Sequence, residues 1–357
     1  MNLILSLVVG LSALLAGHSD PFSVTGEVYD YETKEPIRGA HVFITGSTKG
    51  TETNQAGAFQ LSNIGMEQFQ LVFSHIGYEA YSLDLSRDKL KKRYKVYLKA
   101  REYELGEVLV TAKTDKQWER NLKRFNEFFF GEDYEASLAS IDNNYLIEFE
   151  NKGRRNMRVT NQPTLNVKND HLGYELFFRL EDFELGANTA FLGYTQYTEM
   201  EPESPEQAKQ WLKNRKNAYD GSVRHFMKAL IARQLDDAGF SAHKVKRTDS
   251  KNLGYGLMNK QEPLRFEDDG IYKKNIAIYP VKPGIYKVLF KGAIAVTYYD
   301  KVDQYGNPVR SEIVLNKPLW VHENGVVINA GDLLSTGHWL AQGMMHALPF
   351  EYSPDIQ

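Results

Sequence analysis

The residues best spaced for chemistry lie in Tyr219-Asp-Gly-Ser-Val-Arg-His225, which brings a carboxylate, a hydroxyl and an imidazole close together in the chain. Asp220, Ser222 and His225 are the three side-chain types of a nucleophilic triad, in which the imidazole takes the hydroxyl proton and the carboxylate orients the imidazole. Their spacing argues against that role. Neighbouring helical positions point in different directions, whereas a triad converges on one hydroxyl. Ser222 and His225 do share a helix face. Arg215, Tyr219, Ser222 and His225 therefore make a candidate polar pocket, although a polar stripe sealed beneath a sheet would give the same pattern.

Other chemistries find less support. A catalytic zinc needs three protein ligands and an open position, yet none of the 9 histidines has Glu three residues later, and His-Glu-x-x-His does not occur. His338 and His346 lack a third ligand at useful spacing. Asp300, Asp303 and Asn307 do not follow the order of an EF-hand loop. There is no Gly-x-Ser-x-Gly elbow, Walker loop or Gly-x-Gly-x-x-Gly. Ser86-Arg-Asp-Lys89 matches Ser-x-x-Lys without its companion motifs. The chain has no cysteine, which excludes disulfides, thiolate nucleophiles and Cys-bound metals. With 43 basic and 46 acidic side chains, nothing in the charge balance calls for nucleic acid. No cofactor is expected.

These residues must be positioned by strands and a few helices. Ser204-Pro-Glu-Gln207 reads as an N-cap, a first-turn Pro and a capping-box Gln. Trp211, Arg215, Tyr219, Ser222 and Phe226 then recur at helical spacing, with Asp220-Gly221 a break or kink and Asp236-Asp-Ala-Gly239 a C-terminal stop. A second helix starts at Thr114 or Asp115 and presents Trp118, Leu122, Phe125 and Phe129. Between Ser23 and Lys99 short period-2 runs alternate with turns, the signature of a β-sandwich. Gly46, Gly50 and Gly57 stand where turns favour positive φ. Further strand-like runs are 104–112, 145–149, 174–180, 189–194, 276–279, 286–290, 293–299, 311–315 and 325–329. Arg87-Asp-Lys-Leu-Lys-Lys-Arg-Tyr-Lys95 is a basic run suited to an edge strand or to anionic headgroups. Residues 1–19 read as a signal peptide, with an apolar core too short to span a bilayer comfortably, cleavage after Ala16 or Ser19, and no Lys or Arg ahead of it.

Val24-Thr-Gly-Glu-Val, Pro36-Ile-Arg-Gly-Ala-His-Val-Phe-Ile, Gly50-Thr-Glu-Thr-Asn-Gln-Ala-Gly-Ala-Phe and Ser74-His-Ile-Gly-Tyr78 together resemble the carboxypeptidase-regulatory-like domain. Glu104-Leu-Gly-Glu-Val-Leu-Val-Thr-Ala112 resembles the segment that follows it in TonB-dependent receptors, but the chain is too short for their barrel. Phe128-Phe-Phe-Gly131, Leu172 to Phe183, Trp211 to Phe226 and Gly337 to Tyr352 resemble the shorter Bacteroidetes proteins named for that domain. The resemblance implies a transthyretin-like sandwich and an exported protein, periplasmic or outer-membrane-associated. The expected fold is mainly β: a sandwich over 23–112, then an α+β domain over 113–357 with antiparallel sheet and a helical insertion. The expected function is non-catalytic, a binding or assembly module for an envelope protein or glycan. The alternative is a hydrolase using a polar site around Ser222 and His225.

Overall fold

The computed structural model describes residues 21–101, 116–152, 156–186, 190–245 and 276–354. The signal segment, the run 104–112 and the boundary near 113 lie outside the described residues.

The first seven strands are β1 (Phe22–Asp30), β2 (His41–Ile44), β3 (Gly50–Glu52), β4 (Ala58–Ile64), β5 (Gln68–Ser74), β6 (Tyr81–Ser86) and β7 (Tyr94–Leu98). They form two sheets, β4-β1-β7 and β3-β2-β5-β6. Val24, Val28, Phe59, Leu61 and Val96 from one sheet meet Val42, Ile44, Leu71 and Phe73 from the other in a common core. Each such side chain contributes about 1.5–3 kcal/mol by leaving water. β1 and β7 bury alternate residues, whereas β2 and β5 are buried on both faces. The cause is a second layer outside them: His41 stacks on Phe177 at 4.4 Å, and Phe43 meets the same ring edge-on.

That layer is the central sheet. It comprises β8 (Ala139–Ile141), β9 (Phe149–Lys152), β10 (Asn156–Val159), β11 (Thr164–Asn169), β12 (Tyr174–Leu185) and β13 (Ala190–Glu199), in the order β8-β11-β12-β10-β9 with β13 along β12. Helix α1 (Lys116–Phe130) covers it, with Phe125 against Phe183 at 4.7 Å and Phe129 against Phe178 at 5.2 Å. The rest of the chain builds its own core. Helices α2 (Pro205–Tyr219) and α3 (Val223–Ala232) lead into β14 (Phe240–Val245), β15 (Ala277–Lys282), β16 (Ile285–Leu289), β17 (Ala293–Val302), β18 (Pro308–Leu315), β19 (Leu319–His322), β20 (Leu333–Gly337) and the short α4 (His338–Ala341). Sheets β14-β17-β18-β20 and β15-β16-β19 pack with α3 around Phe226, Leu230, Phe240, Val296, Ile313 and Trp339. Residues after 113 are thus shared between two cores.

Several local expectations need correction. Gly46 and Gly57 have φ of 76° and 71°, but Gly50 does not take positive φ. It lies in β3, where a Cβ would come within 2.0 Å of Gln196 Nε2, so the absent side chain makes room for the central sheet. Residues 144–146 form a 3-10 turn instead of a strand, because Asn143 bonds the Thr164 carbonyl and the Asn166 N–H through its side chain. Residues 325–329 contribute one bridge, Val321 to Val327, between two Asn-set turns. Helix α3 stops at Ala232, with Arg233 at φ 59° donating to the carbonyls of Ala229 and Leu230. Gly239, at φ 76°, serves the turn into β14 instead.

The sandwich and the central sheet are joined by backbone. The β2–β3 turn lies against β13: Gly46 N–H donates to Thr195 O (2.6 Å), and Tyr197 N–H donates to Ser47 O (2.9 Å).

Candidate binding pocket

The side chains of α2 hold the β11–β12 turn by its carbonyls. Ser204 caps the helix by accepting the Gln207 N–H at 3.1 Å, while the Gln207 side chain accepts the N–H of Glu203, not of the cap residue itself. With the helix so started, Trp211 and Arg215 are one turn apart on one face. Trp211 Nε1 donates to Asp170 O (2.7 Å), Asn214 to His171 O (2.7 Å), Arg215 Nε to Leu172 O (2.8 Å) and Arg215 Nη2 to Gly173 O (3.2 Å). Four successive carbonyls are satisfied by one helix face. Gly173 must be glycine for this: its φ is 72°, and a Cβ would fall 2.3 Å from the Trp211 ring.

Arg215 is fixed flat over Tyr174, with Cζ 4.1 Å from the ring centroid, a cation–π contact strengthened by burial. Its Nη1 is 3.7 Å from Glu199 Oε1, beyond hydrogen-bond range, and the Arg215 side chain is only 9% exposed against 62% for Glu199. A cavity of about 340 Å³ opens beside this pair. Its floor includes Tyr174 and Tyr197, which face each other edge-on at 5.7 Å. Burial pushes both phenols well above their ordinary range, so each stays protonated as donor and acceptor. The opposite wall is the C-terminal segment, with Pro349, Glu351, Tyr352 and Ser353, and Thr48 of the β2–β3 turn closes one side.

That wall is anchored by Arg224 of α3. It donates to the carbonyls of Asn324 (3.3 Å), Pro349 (2.8 Å) and Phe350 (2.7 Å), and its Nη2 reaches Tyr352 O at 2.5 Å. Desolvation pulls its guanidinium down to about 10, which leaves it charged at neutral pH. Phe350 N–H donates to Gly46 O (2.7 Å), and the Glu351 carboxylate accepts the Thr48 N–H at 3.2 Å. The cavity is therefore built from the sandwich, the central sheet, α2 and the C-terminal segment together.

The candidate residues read from the sequence divide. Arg215 lines the cavity. Tyr219 is buried beside it, 6.0 Å from the Tyr352 ring. Ser222 is the N-cap of α3, accepting the His225 backbone N–H at 3.2 Å. The His225 ring faces Tyr219 and Phe240 at 4.9 Å and Tyr298 at 5.7 Å, and its Nδ1 accepts the Gly221 N–H at 3.2 Å. Its pKa is lowered, mainly by burial. Asp220 pairs with Lys216. The imidazole thus serves Gly221, the hydroxyl serves the helix end, and the carboxylate serves a lysine, so the three do not make the hydrogen-bond chain of a triad.

The other marked residues are also engaged. Ser86 Oγ accepts from Lys282 Nζ at 2.7 Å. In the basic run, Arg87 pairs with Glu67 and Arg93 with Glu27. Asp303 Oδ1 accepts the N–H groups of Tyr305 and Asn307 within its own turn, which lowers its pKa. His346 meets His171 at 5.6 Å, and among the described residues no group of three or more His, Cys, Asp or Glu could hold a metal. Sequence reading missed Thr48, Tyr174, Tyr197, Glu351 and Tyr352. No local spacing points to them, because they come together only through contacts across the whole chain.

Two mainly antiparallel sheets, one bearing a parallel pair, with turns set by Gly46 and Gly57, define a small β-sandwich domain. Residues 24–110 match the CarboxypepD_reg-like domain family, so the N-terminal unit is a CarboxypepD_reg-like domain. None of the curated proteins matches the chain. Among solved structures, a type II cohesin–X-dockerin complex from Acetivibrio cellulolyticus is 18% identical over 24% of this chain and 62% of its own, with a TM-score of 0.20. A Bacteroides fragilis structure, provisionally described as a membrane-associated protein of unknown function, is 14% identical over 45% of this chain and 65% of its own, with a TM-score of 0.19. One from Bacteroides uniformis, provisionally described as a carbohydrate-binding protein, is 10% identical over 50% of this chain and 78% of its own, with a TM-score of 0.18. The chain thus spans less than two thirds of the first two structures. Overlaps this weak carry no functional weight. No helix among the described residues is long and apolar enough to cross a membrane.

Proposed function

We propose that this chain is an exported, non-catalytic binding module of the cell envelope, with a regulatory-like sandwich over 23–112 and a binding region over 113–357. The observation that carries the reading is the open cavity around Arg215. A nearly buried guanidinium and two buried tyrosines line a space that no described residue fills. An apolar pocket with a few converging polar groups is the usual form of a ligand site. Its walls come from both regions, so the sandwich takes part in building the site. The partner is an envelope glycan or protein, and no nucleic acid is involved.

Two measurements test this. Cell fractionation of the tagged full chain, with N-terminal sequencing, is expected to find it shortened at residues 16–19 and in the envelope; full-length cytosolic protein refutes export. Affinity electrophoresis through gels of soluble polysaccharides, with cross-linking to purified envelope proteins in parallel, is expected to show retention by one class. Thr198→Trp, at the exposed rim, is expected to abolish it. Retention unchanged in that variant refutes the pocket.

A further inference from the structure

We infer that the cavity beside Arg215 takes an uncharged sugar residue, the inference resting on the pocket reading above. The charges at the site set the ligand class. Arg215 offers Nη1, which has no hydrogen bond to a described residue, while Glu199 and Glu351 offer carboxylates at the rim. An anion placed on Arg215 meets both carboxylates, and a cation placed between the carboxylates meets the guanidinium. Burying either charge without a clean partner is costly. A ligand of many hydroxyls uses both signs at once. Its O–H groups donate to the carboxylates and accept from Nη1.

The remaining surfaces fit the same ligand. Tyr174 and Tyr197 are almost wholly buried with their rings edge-on to each other, so they give the cavity apolar lining for C–H groups of a pyranose and no open stacking face, and their protonated phenols donate or accept as a hydroxyl requires. Tyr174 is held by the overlying Arg215, so this lining is set before a ligand arrives. A volume of about 340 Å³ lies at the low end for ligand pockets, roughly 300–1,000 Å³, and suits one or two sugar rings. The exposed rim at Thr198 and Glu199 lets a longer glycan run out into solvent.

The probes are methyl glycosides of neutral hexoses and N-acetylhexosamines, with glucuronate and glucosamine as charged counterparts, observed by saturation-transfer NMR and calorimetry on the full chain. At least one neutral glycoside is expected to bind, with each charged counterpart weaker by about tenfold, or 1.4 kcal/mol. Thr198→Trp is expected to abolish that binding. Tyr97→Ala, on β7 of the sandwich and exposed, is expected to leave it unchanged. Tighter binding of glucuronate or glucosamine, or binding of no neutral glycoside, overturns the sugar class and leaves the pocket standing. Neutral-glycoside binding that survives Thr198→Trp but is lost in Tyr97→Ala overturns the pocket as well.

Discussion

Arg215 and His225 lie on consecutive helices and looked alike as polar residues on a helical face, yet their surroundings differ. Over Arg215 the chain keeps its walls apart. The C-terminal segment is pinned to Arg224 and to the β2–β3 turn and cannot collapse onto Tyr174. His225 is half-buried, with its ring packed among other rings and not lining the cavity. Gly221 lets Tyr298 approach so near that a Cβ would be 2.6 Å from its ring, and Phe240 packs edge-on against the imidazole at 4.9 Å. A polar side chain becomes a site only where independently anchored segments hold a gap open over it. One whose groups are consumed by helix ends and rings is scaffold.

The largest expected effect is on stability against pH. Five half-buried histidines are biased toward their neutral form by desolvation. Burial lowers His171, His225 and His322, and it takes His338 and His346 down to about 4, with Lys301 opposing the charging of both, His171 opposing that of His346, and Asp133 partly favouring it. Between pH 6.5 and 4 the unfolded chain binds protons that the folded chain refuses, so stability falls as pH falls through that window. Glu181 slopes the other way. Burial raises it to about 7 despite Arg179 Nε at 3.1 Å, so its share of stability is lost as pH rises from 4.5 to 7. Five depressed histidines outweigh one raised glutamate. Thermal scans are expected to show Tm lower by about 5 °C or more at pH 4.5 than at pH 7. A Tm that holds or rises on acidification breaks the picture of desolvated, neutral histidines.

Next in size is Arg224→Met, which keeps the side chain's length and removes its donors. The carbonyls of Pro349, Phe350 and Tyr352 lose the Arg224 donors, while Pro349 O keeps the Tyr352 N–H and Phe350 O keeps Asn324 Nδ2, at a cost of about 3 kcal/mol in global stability. The more telling readout is local. Limited proteolysis is expected to clip the variant in 349–354 before any other site and to remove ligand binding with it. Binding that survives a released C-terminal segment means that the wall is not part of the site.

What the sequence made legible follows the same division. The sandwich strands could be read because their alternation is local, and so could the Ser204 cap and the break at Asp220-Gly221. The role of Gly50 could not, since a glycine that yields space to Gln196 looks the same as one that turns the chain. In the sequence β2 and β5 read as alternating strands like the others, and their burial on both faces shows itself only once the central sheet is placed over them. The cavity itself was illegible. Thr48, Tyr174, Tyr197, Arg215 and Glu351 are spread across the chain, and only the β2–β3 turn against β13 and the grip of Arg224 bring them together. Helix periodicity grouped Arg215 with Ser222 and His225 because it carries no information about what packs above.

Ser222→Ala is the smallest expected effect and the most pointed. Removing the hydroxyl leaves the His225 N–H without its cap, which costs about 1 kcal/mol. Ligand binding at the Arg215 cavity is expected to stay unchanged, since Ser222 does not line it. Ser222→Asp completes the comparison. Aspartate caps a helix as well as serine, and its charge favours the N-terminal end of the dipole, so calorimetry is expected to return the lost stability. A serine nucleophile would be lost in both variants alike. Hydrolysis of model esters by the native chain that vanished in the Ala and Asp forms would restore His225 and Ser222 to chemistry. Rescue by Asp, with binding intact throughout, confines that end of the helix pair to holding the other in place.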